Sequence, residues 1–269
     1  MCELLGLAFN KPVSPGLSFR GFRHRGRRNR HGWGLAAISA HGATIHKEPI
    51  DATHSGFAAD LPDRDPLHAP LFIGHVRAAS EGRVSYDNTH PFARPLAGGM
   101  FTFAHNGTLD VRRLKGSVGG SFTPAGQTDS ELAMGALLTW VAEEEARRER
   151  SADAGPPPDP LADFAAVEDF LRDLNRLGDL NLLFSDGRRL FCYHDLGGYN
   201  GLSWTHRRAP FGCVSLRDED WVADLAGHKA PEQRGYVIAS HPLTDGEDWT
   251  ACRRGRLLVI EQGAAVFGA

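Results

Sequence analysis

A cysteine stands directly behind the initiator methionine in Met1-Cys2-Glu3-Leu4-Leu5-Gly6. That position can give one residue two reactive groups. Cysteine is small enough to suit methionine removal, after which the chain starts with a thiol and a free α-amine on the same carbon. The amine, with a reference pKa of about 8, can take the thiol proton near neutral pH, and the thiolate then attacks a carbonyl carbon. With Met1 retained, the same nitrogen is an amide and has no basic lone pair. Taken alone, Cys2 reads first as a small buried hydrophobe opening a strand.

Three more positions carry polar groups at the ends of apolar segments: Arg77, the pair Asn106-Gly107, and Asp129. Each also has a plain structural reading. Arg77 can be an exposed arginine at a strand end, Asn106-Gly107 a strand-ending turn, and Asp129 a helix cap.

The elements that must position these groups follow from periodicity. Residues 2–9 are apolar and are followed by turn formers, which predicts a short buried strand. Hairpin strands are expected at 34–38 and 43–46, and further strands at 71–76 and 100–104, the last ended by His105-Asn106-Gly107. Thr128-Asp129-Ser130-Glu131 has capping-box spacing, and Leu132, Ala136, Leu137, Trp140 and Val141 then recur at helical spacing. A Pro-rich loop is expected at 151–160. A second helix is expected at 161–177, capped by Asp159 and stopped by Gly178. Strands return at 180–184 and 190–193, around Ser185-Asp186-Gly187, and at 211–216, 236–239, 257–260 and 264–267. Strands, two helices and strands again fit antiparallel sheets under a helical layer, an α+β fold, and not alternating βαβ units. Strands on both sides of the Pro-rich loop need the same helices, so residues 1–269 are read as a single domain.

Composition bounds the function classes. The chain has 269 residues, 41% hydrophobic and 23% charged, with a formal net charge of -3. That is ordinary for a globular protein, and the overall charge gives no support to a polyanion partner. Six arginines lie between Arg20 and Arg30. With Phe22 the one aromatic among them, they read as a solvated loop, able at most to rim a pocket for an anionic substrate, and no nucleic-acid role is expected. No apolar run approaches the roughly 20 residues of a membrane span and no secretory signal precedes the fold, so a cytoplasmic protein without membrane contact is expected. Cys2, Cys192, Cys213 and Cys252 lack C-x-x-C spacing and read as free thiols. Thirteen histidines, His75, His90 and His105 among them, form no metal motif; they read as packing or hydrogen-bonding residues, with no metal and no cofactor.

Taken together, Cys2 at a strand start, Gly74-His75-Val76-Arg77-Ala78, Asn88-Thr89-His90-Pro91-Phe92, Ala104-His105-Asn106-Gly107 and Gly126-Gln127-Thr128-Asp129-Ser130-Glu131 resemble the class II glutamine amidotransferases. Gly32-Trp33-Gly34, Leu183-Phe184-Ser185-Asp186-Gly187, Arg208-Ala209-Pro210-Phe211-Gly212 and Pro242-Leu243-Thr244 extend the likeness over nearly the whole chain, to a stand-alone branch of that family. The resemblance implies an αββα sandwich of two antiparallel sheets, the N-terminal-nucleophile hydrolase fold. It implies Cys2 as nucleophile and its own α-amine as base, with the Asn106 side chain and Gly107 N–H as oxyanion donors. It also implies Arg77 and Asp129 on the α-carboxylate and α-ammonium of a glutamyl group, with His105 counted beside them as substrate-binding. The activity implied is hydrolysis of the γ-amide of glutamine through a γ-glutamyl thioester, giving glutamate and ammonia. A separate synthase that accepts the ammonia stays open as a partner. Two alternatives stay open as well: a hydrolase of a larger γ-glutamyl amide, as in thiol biosynthesis, and a non-catalytic glutamine-binding regulator. One departure stands out, since His31 precedes Gly-Trp-Gly where related sequences commonly carry aspartate.

Overall fold

The computed structural model describes residues 1–269 except 64–66, 80–81, 97–98, 121, 152–158 and 228–229. Most of the Pro-rich loop expected at 151–160 therefore lies outside the described residues. Two sheets dominate. The first orders its strands Thr250–Ala251, Ser203–Arg207, Gly235–Ala239, Glu3–Val13, Ala69–Val76, Trp33–Ser39 and Gly42–Glu48. The second orders them Ala264–Phe267, Leu257–Glu261, Arg189–Tyr193, Gly178–Ser185, Gly99–Leu109 and Phe92–Leu96. Every neighbouring pair in both is antiparallel.

Side-chain alternation builds three hydrophobic layers from these strands. On Glu3–Val13, Leu4 and Ala8 point between the sheets, meeting Ala104, Leu183, Leu190, Leu258 and Ile260 of the second sheet. Leu5, Leu7 and Phe9 point the other way, to Phe19, Phe22 and Trp33. Because both faces of this strand are covered, it reads as a continuous apolar run in the sequence. The strand also continues past the expected end at Phe9: its register with Ala69–Val76 shifts between Ala8 and Val13. The irregularity lets Pro12 sit in a strand without breaking a ladder.

The outer face of the second sheet carries helices Asp129–Ser151 and Phe164–Asn175, whose Met134, Leu137, Val141, Val167 and Leu171 cover Phe101, Phe103, Leu182 and Phe184. Thr128 Oγ1 accepts the Glu131 N–H at 3.2 Å, the first half of the expected capping box. The Glu131 carboxylate does not return to the cap; it accepts from the Ala125 and Gly126 amides and pairs with Arg94. The second helix is shorter than expected, since Asp159 caps a single 3-10 turn at Pro160–Ala162 and Asp163 then caps Phe164–Asn175.

The first sheet has its own helical cover, which the sequence reading did not foresee. Gly16–Phe22 is a short helix running into a 3-10 turn at Arg23–Arg27, and Gly56–Asp60 is another. Phe19 and Phe22 are fully buried, Phe19 lying 5.6 Å from the Trp33 ring. The arginine run is thus folded, not an open loop. Arg20, Arg23 and His24 converge on Glu219, and Arg25 pairs with Asp218 at 2.8 Å. The carboxylates that order this segment come from almost two hundred residues away, so no local pattern announces them. Among the described residues no helix is long and apolar enough to cross a membrane.

Candidate active site

Cys2 lies immediately ahead of the central strand of the first sheet. The register pairs Glu3 with Val76, so the chain one step further on sets Cys2 beside Arg77 and Ala78. The Cys2 thiol points at the Ala78 carbonyl oxygen, 3.3 Å away, and accepts the Ala78 N–H at 3.2 Å. The 77–79 segment is fixed in turn. His31 N donates to the Arg77 carbonyl, Arg77 N donates to Gly32 O at 2.8 Å, and Ala79 N donates to His31 Nδ1 at 2.9 Å. His31 therefore supplies an acceptor for a backbone amide, a part an aspartate oxygen could equally play. That bond uses the lone pair of Nδ1.

Asn106 reaches Cys2 from the second sheet, its Nδ2 donating to the Cys2 carbonyl at 2.6 Å. The strand expected to end at His105-Asn106-Gly107 continues to Leu109, pairing Asn106 with Asn181 and Gly107 with Leu180. Gly107 has no positive φ. Its lack of a side chain serves close approach: a Cβ there would sit 2.0 Å from Asp179 O and 2.6 Å from His105 Nε2.

Asp129 opens the long helix, buried, with Oδ2 accepting Leu109 N at 2.8 Å and Oδ1 accepting Ser130 N at 2.9 Å. Thr128 is the cap and Asp129 the first helical residue, tying the helix to the Gly99–Leu109 strand, and its charge also acts on both Arg77 and Cys2. Arg77 is buried at 3% exposure, with Nη1 donating to Arg83 O at 3.0 Å and Nη2 facing Gly82 O. Burial pushes its guanidinium down, and the Cys2 and Asp129 charges oppose this. Burial likewise raises the Cys2 thiol, opposed by the Ala78 N–H, the terminal ammonium and Arg77. The resting sulfur is a thiol and needs a base to react.

His105 donates or accepts through both ring nitrogens within the protein, Nδ1 with Ser130 Oγ at 2.9 Å and Nε2 with Asp179 O at 3.1 Å. In this arrangement it braces the helix start against the strand, and substrate contact expected of it finds both nitrogens engaged. His75 and His90 meet edge to face, ring centroids 4.2 Å apart. Burial, together with Arg77 and the neighbouring imidazoles, holds His75 down to about 3 and His90 well below the usual histidine range, so both are neutral. Among the described residues no group of His, Cys, Asp or Glu side chains could hold a metal ion.

Three positions around Cys2 and Arg77 were not singled out from the sequence. Asn88 Nδ2 donates to Arg83 O and its Oδ1 accepts Gln127 N at 2.7 Å, tying the loop that holds Arg77 to the approach of the Asp129 helix. Asn200 Nδ2 donates to the Cys2 carbonyl at 2.8 Å. Asn88 stood in a motif with no role attached, and Asn200 lay in a loop with no periodic signal.

Glu3 is the third. Its carboxyl is buried within reach of the Arg25 and Arg28 charges, and burial raises it to about 7, with Arg25 and the chain terminus opposing. His241 Nε2 is 3.7 Å from Glu3 Oε1, beyond hydrogen-bond reach. Burial and Arg25 push His241 down, so the two are not an ion pair at neutral pH. A carboxyl raised in the folded state favours folding below its ordinary value and loses that advantage as pH climbs. From an ordinary 4.5 to about 7 the loss is on the order of 3 kcal/mol. Glu3→Gln, which cannot ionise, should therefore match the unsubstituted protein at pH 4 and exceed it by that amount at pH 8 in urea unfolding. Parallel stability curves across this window would contradict the assignment.

Two stacked antiparallel sheets, helices on both outer faces and a cysteine at the head of a central strand define the αββα sandwich of the N-terminal-nucleophile hydrolases. Residues 1–268 match the family model described as glutamine amidotransferases class-II. The chain belongs to that family. It is 36% identical to the uncharacterized protein MJ1515 of Methanocaldococcus jannaschii, over 99% of this chain and 71% of that one. It is 35% identical to YafJ of Escherichia coli, over 93% of each. A solved structure of a predicted glutamine amidotransferase from Pseudomonas aeruginosa superposes with TM-score 0.70 at 30% identity, covering 99% of this chain and all of that one.

Proposed function

We propose that this chain, once Met1 is removed, hydrolyses the γ-amide of glutamine through a thioester on Cys2. The α-amine takes the thiol proton, and sulfur attacks the γ-carbonyl. The carbonyl oxygen becomes an oxyanion, received by the Asn106 amide and the Gly107 N–H. The same amine, now ammonium, gives its proton to the leaving nitrogen, and ammonia departs. Water then adds to the thioester with the amine again as base, and glutamate leaves with the thiol restored. Arg77 receives the α-carboxylate and Asp129 the α-ammonium of the substrate. The observation that carries the reading is the convergence on Cys2: Asn106 from the opposite sheet grips its carbonyl at 2.6 Å while the Arg77 and Asp129 charges act on its sulfur. No dissociable cofactor enters these steps, and a synthase consuming the ammonia is a further element of the proposal.

The test combines intact mass with turnover. Processed protein should lack Met1, gain one adduct at Cys2 from a diazoketone analogue of glutamine, and release glutamate from glutamine. Processed protein that neither takes the adduct nor turns over glutamine defeats the reading.

A second reading draws on the 23–30 turn. Arg27, Arg28 and Arg30 are exposed, and the Arg25 and Arg28 charges reach Glu3, next to the nucleophile. Cations so placed suit a larger γ-glutamyl amide with an anionic leaving portion. Faster turnover of such an amide than of glutamine would favour this reading.

A further inference from the structure

Methionine removal makes Cys2 the first residue of the chain, and first residues fray unless something ties them down. Only the carbonyl side of Cys2 then remains covalently attached. Rotation about its Cα–C bond swings the amine and the thiol together while the carbonyl stays in place, so the sulfur's contacts with Ala78 set that rotation and the pivot itself must be fixed at the carbonyl. Two side-chain amides do this: Asn106 Nδ2 at 2.6 Å and Asn200 Nδ2 at 2.8 Å donate to the same oxygen.

The Asn200 arm is built with care for its direction. Asn200 has φ +50, in the left-handed region that suits glycine, and it lies between Gly198 at φ +80 and Gly201 at φ +66. A third glycine would relax this turn, yet the position keeps a side chain. The turn is anchored to the strand that faces Asn106. Asn181, cross-strand partner of Asn106, donates through Nδ2 to Tyr199 O at 2.5 Å and accepts Asp195 N at 3.0 Å. Asp195 accepts Tyr199 N at 3.0 Å, Leu180 N at 2.9 Å and Asn175 Nδ2 at 2.7 Å. Burial opposes the Asp195 charge, but these donors hold its carboxyl below the usual range, so it serves as a fixed acceptor. The result is a closed circuit from Cys2 through Asn106, Asn181 and Tyr199-Asn200 back to Cys2.

We propose that Asn200 is a positioning residue for the nucleophile: with Asn106 it clamps the Cys2 carbonyl, fixing the pivot from which the amine and thiol, the latter held by Ala78, are set against the Arg77–Asp129 side of the site. This rests on the catalytic role proposed for Cys2. It also divides the labour of Asn106, whose amide has two N–H bonds. One holds the Cys2 carbonyl beside Asn200, and the other is left for the oxyanion.

The test compares Asn200→Gly, Asn200→Ala and Asn200→Asp in the processed full chain. Glycine keeps the left-handed turn and removes the amide, alanine strains the turn as well, and aspartate keeps the shape without a donor. Cys2 modification is followed by peptide mass, which separates it from Cys192, Cys213 and Cys252, with both the diazoketone glutamine analogue and iodoacetamide. Expected is a fall of about 10- to 100-fold in the maximal modification rate by the analogue for Asn200→Gly, with its half-saturating concentration unchanged and the thermal midpoint not lowered. The pH–rate profile of iodoacetamide modification should move as well, because the amine no longer faces the thiol as before. Asn200→Asp, which sets an acceptor against the Cys2 carbonyl, should lose at least as much as Asn200→Gly, and Asn200→Ala should add a loss of stability. Failure of the unsubstituted protein to react with the analogue would sink the glutaminase reading alone, since iodoacetamide still reports on the clamp. An iodoacetamide pH profile for Asn200→Gly that overlies that of the unsubstituted protein overturns the proposal.

Discussion

Cys2→Ala should lower glutamate release from glutamine by about 10^4- to 10^6-fold, the usual cost of deleting a covalent nucleophile, and should leave the folded state almost unchanged. The side chain is only partly buried and its contacts are both with Ala78, so the stability loss should stay near 1 kcal/mol or below. Blocking the amine should cost nearly as much as removing the sulfur. A form carrying an N-terminal extension has the same thiol, the same Asn106 and Asn200 bonds and an amide in place of the base. Because burial raises the thiol, little thiolate exists at neutral pH without that base. Proteolytic release of the extension directly ahead of Cys2 should restore turnover in the same sample. Turnover by the extended form equal to that of the released one would refute the dual role of the first residue.

What could be read ahead of the structure follows the range over which each determinant acts. Hairpins such as 34–46 and 180–193 and the helix opening at Thr128 declare themselves through neighbours a few residues away, and each was found near its expected place. The helix Gly16–Phe22 and the 3-10 turn after it escaped because Phe19 finds its partner in Trp33, and Arg20 and Arg25 find theirs in Glu219 and Asp218. Phe92–Leu96 escaped because Pro95 argues against a strand, and it is tolerated here at the sheet edge. At the site, the residue types pointed to Cys2, Arg77, Asn106 and Asp129 only as a set. Asn106-Gly107 looked like a turn since the dipeptide favours one, and only pairing with Asn181 and Leu180 keeps it extended. Asn200 had no local signal at all: its partner, the Cys2 carbonyl, is 198 residues away in the chain.

Arg77 and Asp129 should govern recognition of the amino-acid head more than the chemical step. Arg77→Lys replaces a planar fork by a point charge at a position 3% exposed and loses the geometry that matches a carboxylate. Arg77→Ala goes further, taking the guanidinium from the Gly82 carbonyl, leaving the Arg83 carbonyl with Asn88 alone, and depriving the buried Asp129 of a nearby opposite charge. Removing the protein's half of a buried, hydrogen-bonded charge pair with a ligand costs about 3–4 kcal/mol, which corresponds to a fall of about 10^2- to 10^3-fold in kcat/KM. Most of it should appear as a higher KM for glutamine. Asp129→Asn should show the same split and add a stability loss of about 1–3 kcal/mol. Both Asp129 oxygens accept backbone amides, from Leu109 and Ser130, and an asparagine must turn its NH2 toward one of those donors. Steady-state kinetics with glutamine set beside a simple γ-amide lacking the amino-acid head separate the explanations. If Arg77 and Asp129 bind the head, the simple amide is a poor substrate for the unsubstituted protein and loses little more in either variant. Equal losses on both substrates would mean instead that the two charges serve the sulfur itself.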